Sequence, residues 1–392
     1  MVSFPTKARD VIGPARRAVL AVLMALVSLP FAAALARPQS KTNPNTFESL
    51  SKAGDAARDE NRLDEAVGFY KKALALRPNW AEGWWSLGTI EYDRNNYQAA
   101  VVAFRKLLPL APKDGTAYAM LGLSEFELGQ DDLALQHIER AKQLEIATDP
   151  QLRRVVFYHD GILLMRKGKF LAAQRPLGEL CQTGMPNQDV VNALGLAVFR
   201  ILPVNAPPAA SPGAQTIARA GHAECLTVQK RYDEARKEYE ALVAEYPKYP
   251  NMHYGFGKFL VEASDTAGAV AEFKKEIENN PKDIPSRLEI AATEYKVNSA
   301  AGIPYAEQAV ALDPRLPFGH YLLGLLYLDV DQYQKAIPHL EAAEKAFPKD
   351  AKIYFALGSA YSRAGRRLEA EKARLAYQRL SQESAADAGA SY

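Results

Sequence analysis

Between Pro317 and Asp350 the apolar residues fall in two runs, spaced three or four apart and separated by a polar break. The first run carries His320, Leu323, Gly324 and Tyr327; the second carries Ala336, Leu340 and Ala343. This spacing puts each set on one face of a helix. The polar stretch from Asp329 to Asp331 predicts the turn between the two helices. Pro348 ends the second helix, because proline lacks the N–H that a helix needs and turns the preceding residue away from helical geometry. Asp350 is placed to accept from the free N–H groups of the helix that follows. One such hairpin cannot cover both of its apolar faces, so the pattern predicts neighbours of the same kind.

The neighbours are in the sequence. The stretch is 34 residues long, and a frame of that length recurs at 47–80, 81–114, 115–148 and 154–187, then at 216–249, 250–283, 317–350 and 351–384. The copy at 284–316 is one residue short. A further first helix begins near Val191, Leu194 and Gly195, and its second helix is missing from the frame. There the chain reads Pro203-Val-Asn-Ala-Pro-Pro-Ala-Ala-Ser-Pro-Gly213, which no helix is expected to contain. Place 8 of the unit is Gly in Gly54, Gly88, Gly122, Gly161, Gly195, Gly257, Gly324 and Gly358, and Ala in Ala223 and Ala291. Place 20 is Ala in Ala66, Ala100, Ala134, Ala173, Ala235, Ala269, Ala336 and Ala370. Glycine inside a helix costs about 1 kcal/mol relative to alanine, so its recurrence predicts a close approach of paired helices at that place.

The period, with Trp or Tyr at place 4, Leu-Gly at places 7 and 8, Ala at place 20 and Pro near place 32, resembles the tetratricopeptide repeat. The resemblance covers about 47–202 and 214–384. It implies an all-α fold: a right-handed α-solenoid of about nine stacked helix-turn-helix repeats plus one incomplete repeat, with first helices lining a concave face. The Pro-rich residues 203–213 are expected to form either a surface loop or a hinge between two half-arrays.

The ends are different in kind. Lys7, Arg9, Arg16 and Arg17 precede an apolar run from Ala18 to Leu29, and Ala34-Leu35-Ala36 has the small-x-small form of a cleavage site. Residues 1–36 are therefore expected to be a secretory signal peptide, which would make the protein periplasmic or extracellular, or else an uncleaved anchor. Cleavage would leave no membrane span. Residues 37–46 and 385–392 are small, polar and aperiodic and read as disordered tails. Removing the leader takes four basic residues and one acidic with it, leaving 44 basic and 45 acidic. That balance lacks the basic footprint of a nucleic-acid binder.

No enzyme signature stands in the chain. There is no H-E-x-x-H, no G-x-x-x-x-G-K-[ST] and no G-x-S-x-G. His253 and His320 occupy place 4, where Trp84 and Tyr118 stand in other copies, and read as packing residues. His222-Ala-Glu224-Cys225 holds ligand types without a second half, so neither a metal nor any other cofactor is expected. Cys181 and Cys225 flank the irregular copy; they are expected to be bridged or to be two separate thiols, and the sequence leaves both open.

The family pattern implies that places 2, 5, 9, 12 and 13 face the groove. Here they include Trp85, Tyr92, Phe126, Tyr158, Tyr254, Tyr295, Tyr321 and Phe355. Large aromatics bring contact area with few rotors to freeze, while the same stripe, shifted in phase, would be core. The lysine/asparagine clamp that some relatives use for a terminal carboxylate has no counterpart at Ser51, Asp55, Trp85, Thr89, Ala119 and Leu123. The expected function is a non-enzymatic exported scaffold that binds a partner protein or extended peptide, in cell-envelope assembly. The alternatives are an accessory subunit of an envelope enzyme complex and a purely structural spacer.

Overall fold

A computed structural model describes residues 45–144, 146 and 150–389. The expected signal peptide, with the localisation that rests on it, and most of the 37–46 lead-in lie outside these residues. Among the described residues the chain is helical throughout, with nineteen α-helices and one short 3-10 turn. It divides into two compact units, one ending at Lys230 and the other beginning at Arg231.

The first unit holds α1 (Phe47–Asp59), α2 (Leu63–Leu76), α3 (Ala81–Asp93), α4 (Tyr97–Leu107), α5 (Gly115–Glu127), α6 (Asp131–Gln143), α7 (Pro150–Arg166), α8 (Phe170–Glu179), α9 (Gln188–Val198) and α10 (Pro212–Val228). Each odd-numbered helix packs most extensively on the one that follows, and successive pairs stack. The second unit opens with α11 (Tyr232–Glu245) and continues with α12 (Met252–Glu262), α13 (Thr266–Asn279), α14 (Ile284–Glu294), α15 (Ser299–Leu312), α16 (Pro317–Asp329), α17 (Tyr333–Ala346), α18 (Ala351–Arg363) and α19 (Arg367–Gly389). Here the pairs are α12–α13, α14–α15, α16–α17 and α18–α19. Within each unit this is the stacked-hairpin solenoid that the period predicts.

The close approach at place 8 has a definite partner. A Cβ on Gly88 would stand 2.7 Å from the Phe104 ring; on Gly257, 2.5 Å from Phe273; on Gly161, 2.4 Å from Leu177; on Gly324, 2.6 Å from Leu340. These partners occupy place 24, and all are fully buried. The glycine therefore makes a socket, and the large side chain of the paired helix fills it. Small residues at place 20 let the helices close, but the direct contact is with the plug.

A second regularity ties five of the first helices to the units before them. Trp84 Nε1 donates to the Pro78 carbonyl at 2.7 Å. His253 Nε2 meets the Pro247 carbonyl at 2.9 Å, and His320 Nε2 meets that of Pro314 at 3.0 Å. Arg287 Nη2 donates to Pro281 at 2.8 Å, and the Tyr354 hydroxyl donates to Pro348 at 3.0 Å. In all five cases the donor is at place 4 and the acceptor is the proline that ends the preceding unit. Place 4 is more than the packing position it resembles in the sequence. Asp350 makes the expected cap, and Asp114 and Asp283 do the same for their helices, each accepting from at least one N–H in the first turn of the next helix.

Three expectations need correction. The fifth first helix, α9, does have a partner: α10, which follows the Pro-rich segment. Their backbones touch, since a Cβ on Gly195 would lie 1.9 Å from the Ile217 carbonyl oxygen and one on Gly221 would lie 1.8 Å from that of Val191. The Pro-rich segment is the connection inside this hairpin, with a 3-10 turn at Pro203–Asn205, and the unit boundary falls instead at Lys230. Its last two residues begin α10, because proline at the first helical position loses no hydrogen bond; Ser211 caps that start by accepting from Ala214 N. Finally, residues 385–389 continue α19 instead of forming a tail.

Cys181, just beyond α8, and Cys225 in α10 form a disulfide, with Cα atoms 5.3 Å apart. It closes a segment of 44 residues that contains α9 and the Pro-rich connection. Gln229 Nε2 donates to the Cys181 carbonyl at 2.8 Å beside it.

Candidate functional site

The eight aromatics expected on the inner surface divide into groups. Tyr295, Tyr321 and Phe355 come from the end of α14, from α16 and from α18, and they line one cavity of about 570 Å³. The rest of the lining is Lys296, Leu325, Leu328, Asp329, Lys352, Ala356, Ser359, Arg363 and Tyr377. All of these except Ala356 and Tyr377 stand at places 2, 5, 9, 12 or 13 of their units. Residues spaced three or four apart share a helix face, so three stacked first helices present one continuous wall. Tyr377 comes from α19, a second helix, outside the places expected to face the groove. Its ring lies 5.5 Å from Phe355 and closes the far side. Phe355 itself is 64% exposed.

The polar groups of this cavity are unevenly paired. Lys296 Nζ donates to Asp329 Oδ1 at 2.8 Å, and the Ser299 hydroxyl donates to Asp329 Oδ2 at 2.7 Å. The bond to Lys296 holds the Asp329 carboxyl below its ordinary range and raises the lysine in turn. Arg363 Nη1 donates to Asp331 Oδ1 at 3.0 Å and meets the Tyr333 hydroxyl at 3.2 Å. Lys352 is exposed, and its amino group has no ion-pair partner among the described residues. Burial raises the Tyr321 hydroxyl, with Asp350 and Tyr295 adding to the effect.

In the first unit Phe126 and Tyr158 come together on His159. The Phe126 ring meets His159 edge-on at 4.5 Å, with the Arg166 guanidinium 4.4 Å from its centre. Tyr158 meets the same imidazole at 5.4 Å, and burial pushes its hydroxyl up to about 12. Trp85 is half-buried and leans on Phe104 at 5.8 Å. Two residues are displaced from the expected surface. Tyr92 is 5% exposed and Tyr254 is 6% exposed. The start of α4 folds over Tyr92, whose ring sits 5.4 Å from Tyr97, and burial raises its hydroxyl strongly. Tyr254 packs 6.0 Å from Phe273, the plug of its own hairpin.

His159 lies against the first unit's aromatics, Phe126 and Tyr158. Its Nδ1–H donates to the Val155 carbonyl at 2.7 Å. Burial drives its pKa down to about 4, and Arg166 acts in the same direction. An imidazole with a folded pKa below its ordinary value resists protonation only while folded. The stability it contributes is therefore complete above about pH 6.5 and is lost as pH falls toward 4. Denaturant midpoints measured across that window should decline for the wild type, and the decline should flatten in His159→Gln.

The family comparison agrees with this architecture. A family model described as "Tetratricopeptide repeat" matches residues 51–115, 85–151, 228–284 and 321–388, together more than half of the chain. The curated protein "Superkiller protein 3" of Schizosaccharomyces pombe is 27% identical over 135 residues. That match covers 32% of this chain, which spans only 10% of the yeast protein. Among solved structures, "MamA 41-end" from Desulfovibrio magneticus RS-1 aligns with 42% of this chain and 96% of its own, at 22% identity and a TM-score of 0.39. A tetratricopeptide repeat protein from Parabacteroides merdae ATCC 43184 aligns with 71% of this chain and 98% of its own, at 18% identity and a TM-score of 0.31. Among the described residues no helix is long and apolar enough to cross a membrane.

Proposed function

This chain belongs to the tetratricopeptide repeat family, and from that premise we propose that it is an exported, non-enzymatic adaptor that holds an extended segment of a partner protein against its first helices, in the assembly of the cell envelope. A stacked-hairpin array of this family is a protein-interaction scaffold. One observation carries the finer reading: Tyr295, Tyr321 and Phe355, from three successive first helices, share one cavity with Tyr377. Rings set side by side on rigid helices offer a large contact area that loses little conformational freedom on binding. A cavity of about 570 Å³ is of ligand-binding size. The Cys181–Cys225 disulfide supports export, since such bonds persist in oxidising compartments, and so does the leader-like pattern of residues 1–36.

The test is site-specific photocrosslinking in the native host. A photoreactive phenylalanine at position 321 or 355 should yield a covalent adduct with a distinct protein. The same probe at Leu368, which is 73% exposed on α19 away from the cavity lining, should not. Folded protein that gives no adduct from either cavity position would reject the reading.

A further inference from the structure

We infer that the cavity of the second unit, on the reading just given, selects a partner segment in which an aspartate or glutamate stands beside an aromatic or large aliphatic residue. Charge complementarity carries the inference. The cavity holds three cations, Lys296, Lys352 and Arg363, and one anion, Asp329. The anion is already satisfied twice, by Lys296 and Ser299. Arg363 is turned to Asp331 and Tyr333. That leaves the Lys352 amino group as the cavity's uncommitted charge among the described residues. The same cavity is lined by the rings of Tyr321, Phe355 and Tyr377 and by Leu325 and Leu328.

A partner with a basic side chain would meet repulsion from Lys352, and the anion of the lining, Asp329, is already paired with Lys296 and Ser299. A purely apolar partner would leave Lys352 partly shielded from water without a counterion. A carboxylate answers the charge, and an adjacent apolar side chain answers the rings. The wall runs across three successive first helices, which suits a chain passing through the cavity more than a chain terminus held at one point. The acidic group is therefore assigned to a side chain within the segment. Partial enclosure strengthens the pairing over that of an open surface ion pair.

The experiment uses the full chain and end-blocked fluorescent decapeptides that carry a central Glu-Phe pair in a Gly/Ser frame. Their Gln-Phe and Lys-Phe twins are the controls, and anisotropy reads the affinity. The Glu-Phe peptide should bind at least about tenfold more tightly than either twin, and added salt should weaken it. Lys352→Glu should remove that preference and favour the Lys-Phe peptide. This exposed substitution leaves the fold intact, which circular dichroism verifies. Three peptides that bind alike, none that binds, or an unchanged preference in Lys352→Glu would overturn the inference. A peptide without glutamate but with a free terminal carboxylate forms the last arm; if it matches the Glu-Phe peptide, the assignment to an internal side chain is wrong. Photocrosslinks from position 321 that persist unchanged in Lys352→Glu would sink this inference while leaving the adaptor reading in place. Absence of crosslinks from both position 321 and position 355, with Lys352 intact, would remove the adaptor reading itself.

Discussion

Gly221→Ala is expected to destabilise the first unit by about 3 kcal/mol, near the upper end of what overfilling a packed contact usually costs. Gly358→Ala, by contrast, is expected to be neutral or to stabilise by about 0.5–1 kcal/mol. The two glycines are both helical and both face a paired helix. They differ in what a methyl group would meet. At Gly221 it would fall 1.8 Å from the Val191 carbonyl oxygen, with the Val191 carbonyl carbon at 2.8 Å and the Gly195 nitrogen at 2.9 Å. All three are backbone atoms of α9, so no side chain can swing aside, and the helices must separate. At Gly358 the nearest atom is the Ala373 Cβ at 3.7 Å, an ordinary contact. There only the helix preference for alanine remains. Glycines whose methyl would meet a plug fall between these cases, because a ring or a leucine can shift. Urea denaturation of the oxidised protein, followed by circular dichroism, should order the variants accordingly. A Gly221→Ala protein with the wild-type midpoint would refute the backbone contact between α9 and α10.

Cys181→Ser is expected to cost about 2–4 kcal/mol. The bridge restrains a 44-residue segment, so breaking it enlarges the unfolded ensemble. Both cysteines are fully buried, and a serine hydroxyl there would add the cost of a polar group enclosed away from water. The direct check is thiol labelling of the native protein without reductant, which should modify no cysteine. After unfolding in reductant, two should react. Two reactive thiols in the unreduced protein would rule the bridge out.

The hairpins were legible in the sequence because each packing need recurs at a fixed place. Gly88, Gly161 and Gly257 announce a close approach, and Phe104, Leu177 and Phe273 recur at the same interval. What they did not announce is that socket and plug belong together, since sixteen residues and a turn separate them. The α9–α10 hairpin was illegible for a different reason. Its helices are joined across residues 199–211, so the period breaks where the contact is tightest. The available signal was compositional: Ala220, Gly221 and Ala223 form a small-residue patch suited to meet Gly195.

The cavity was legible in part. Helical spacing alone puts places 5, 9 and 12 on one face, and Tyr321, Leu325 and Leu328 share the cavity. Exposure is another matter. Tyr254 and Phe355 hold the same place in their units, yet one is buried and the other is the most open ring of the set. The difference lies in what packs beyond them, which a single unit's pattern does not encode. Tyr377 escaped notice because it comes from a second helix. The ties to proline escaped because tryptophan, histidine, arginine and tyrosine share no shape or polarity class; they share a hydrogen to donate.

That last feature governs how the array can vary. At five of the junctions a single donor atom is set at a given height above a proline carbonyl that no helix N–H reaches. Any side chain that delivers an N–H or O–H there keeps the junction satisfied, whether it is flat, branched, charged or neutral. The joint is thus degenerate in chemistry while strict in geometry. Substitutions among Trp84, His253, Arg287, His320 and Tyr354 exchange one tether for another, whereas a leucine or phenylalanine at Trp84, Arg287, His320 or Tyr354 leaves a proline oxygen without its side-chain donor; at Pro247 the Asn279 Nδ2 bond would remain beside the lost one from His253. A sequence profile of the chain would score these positions as divergent, although by function they are the same.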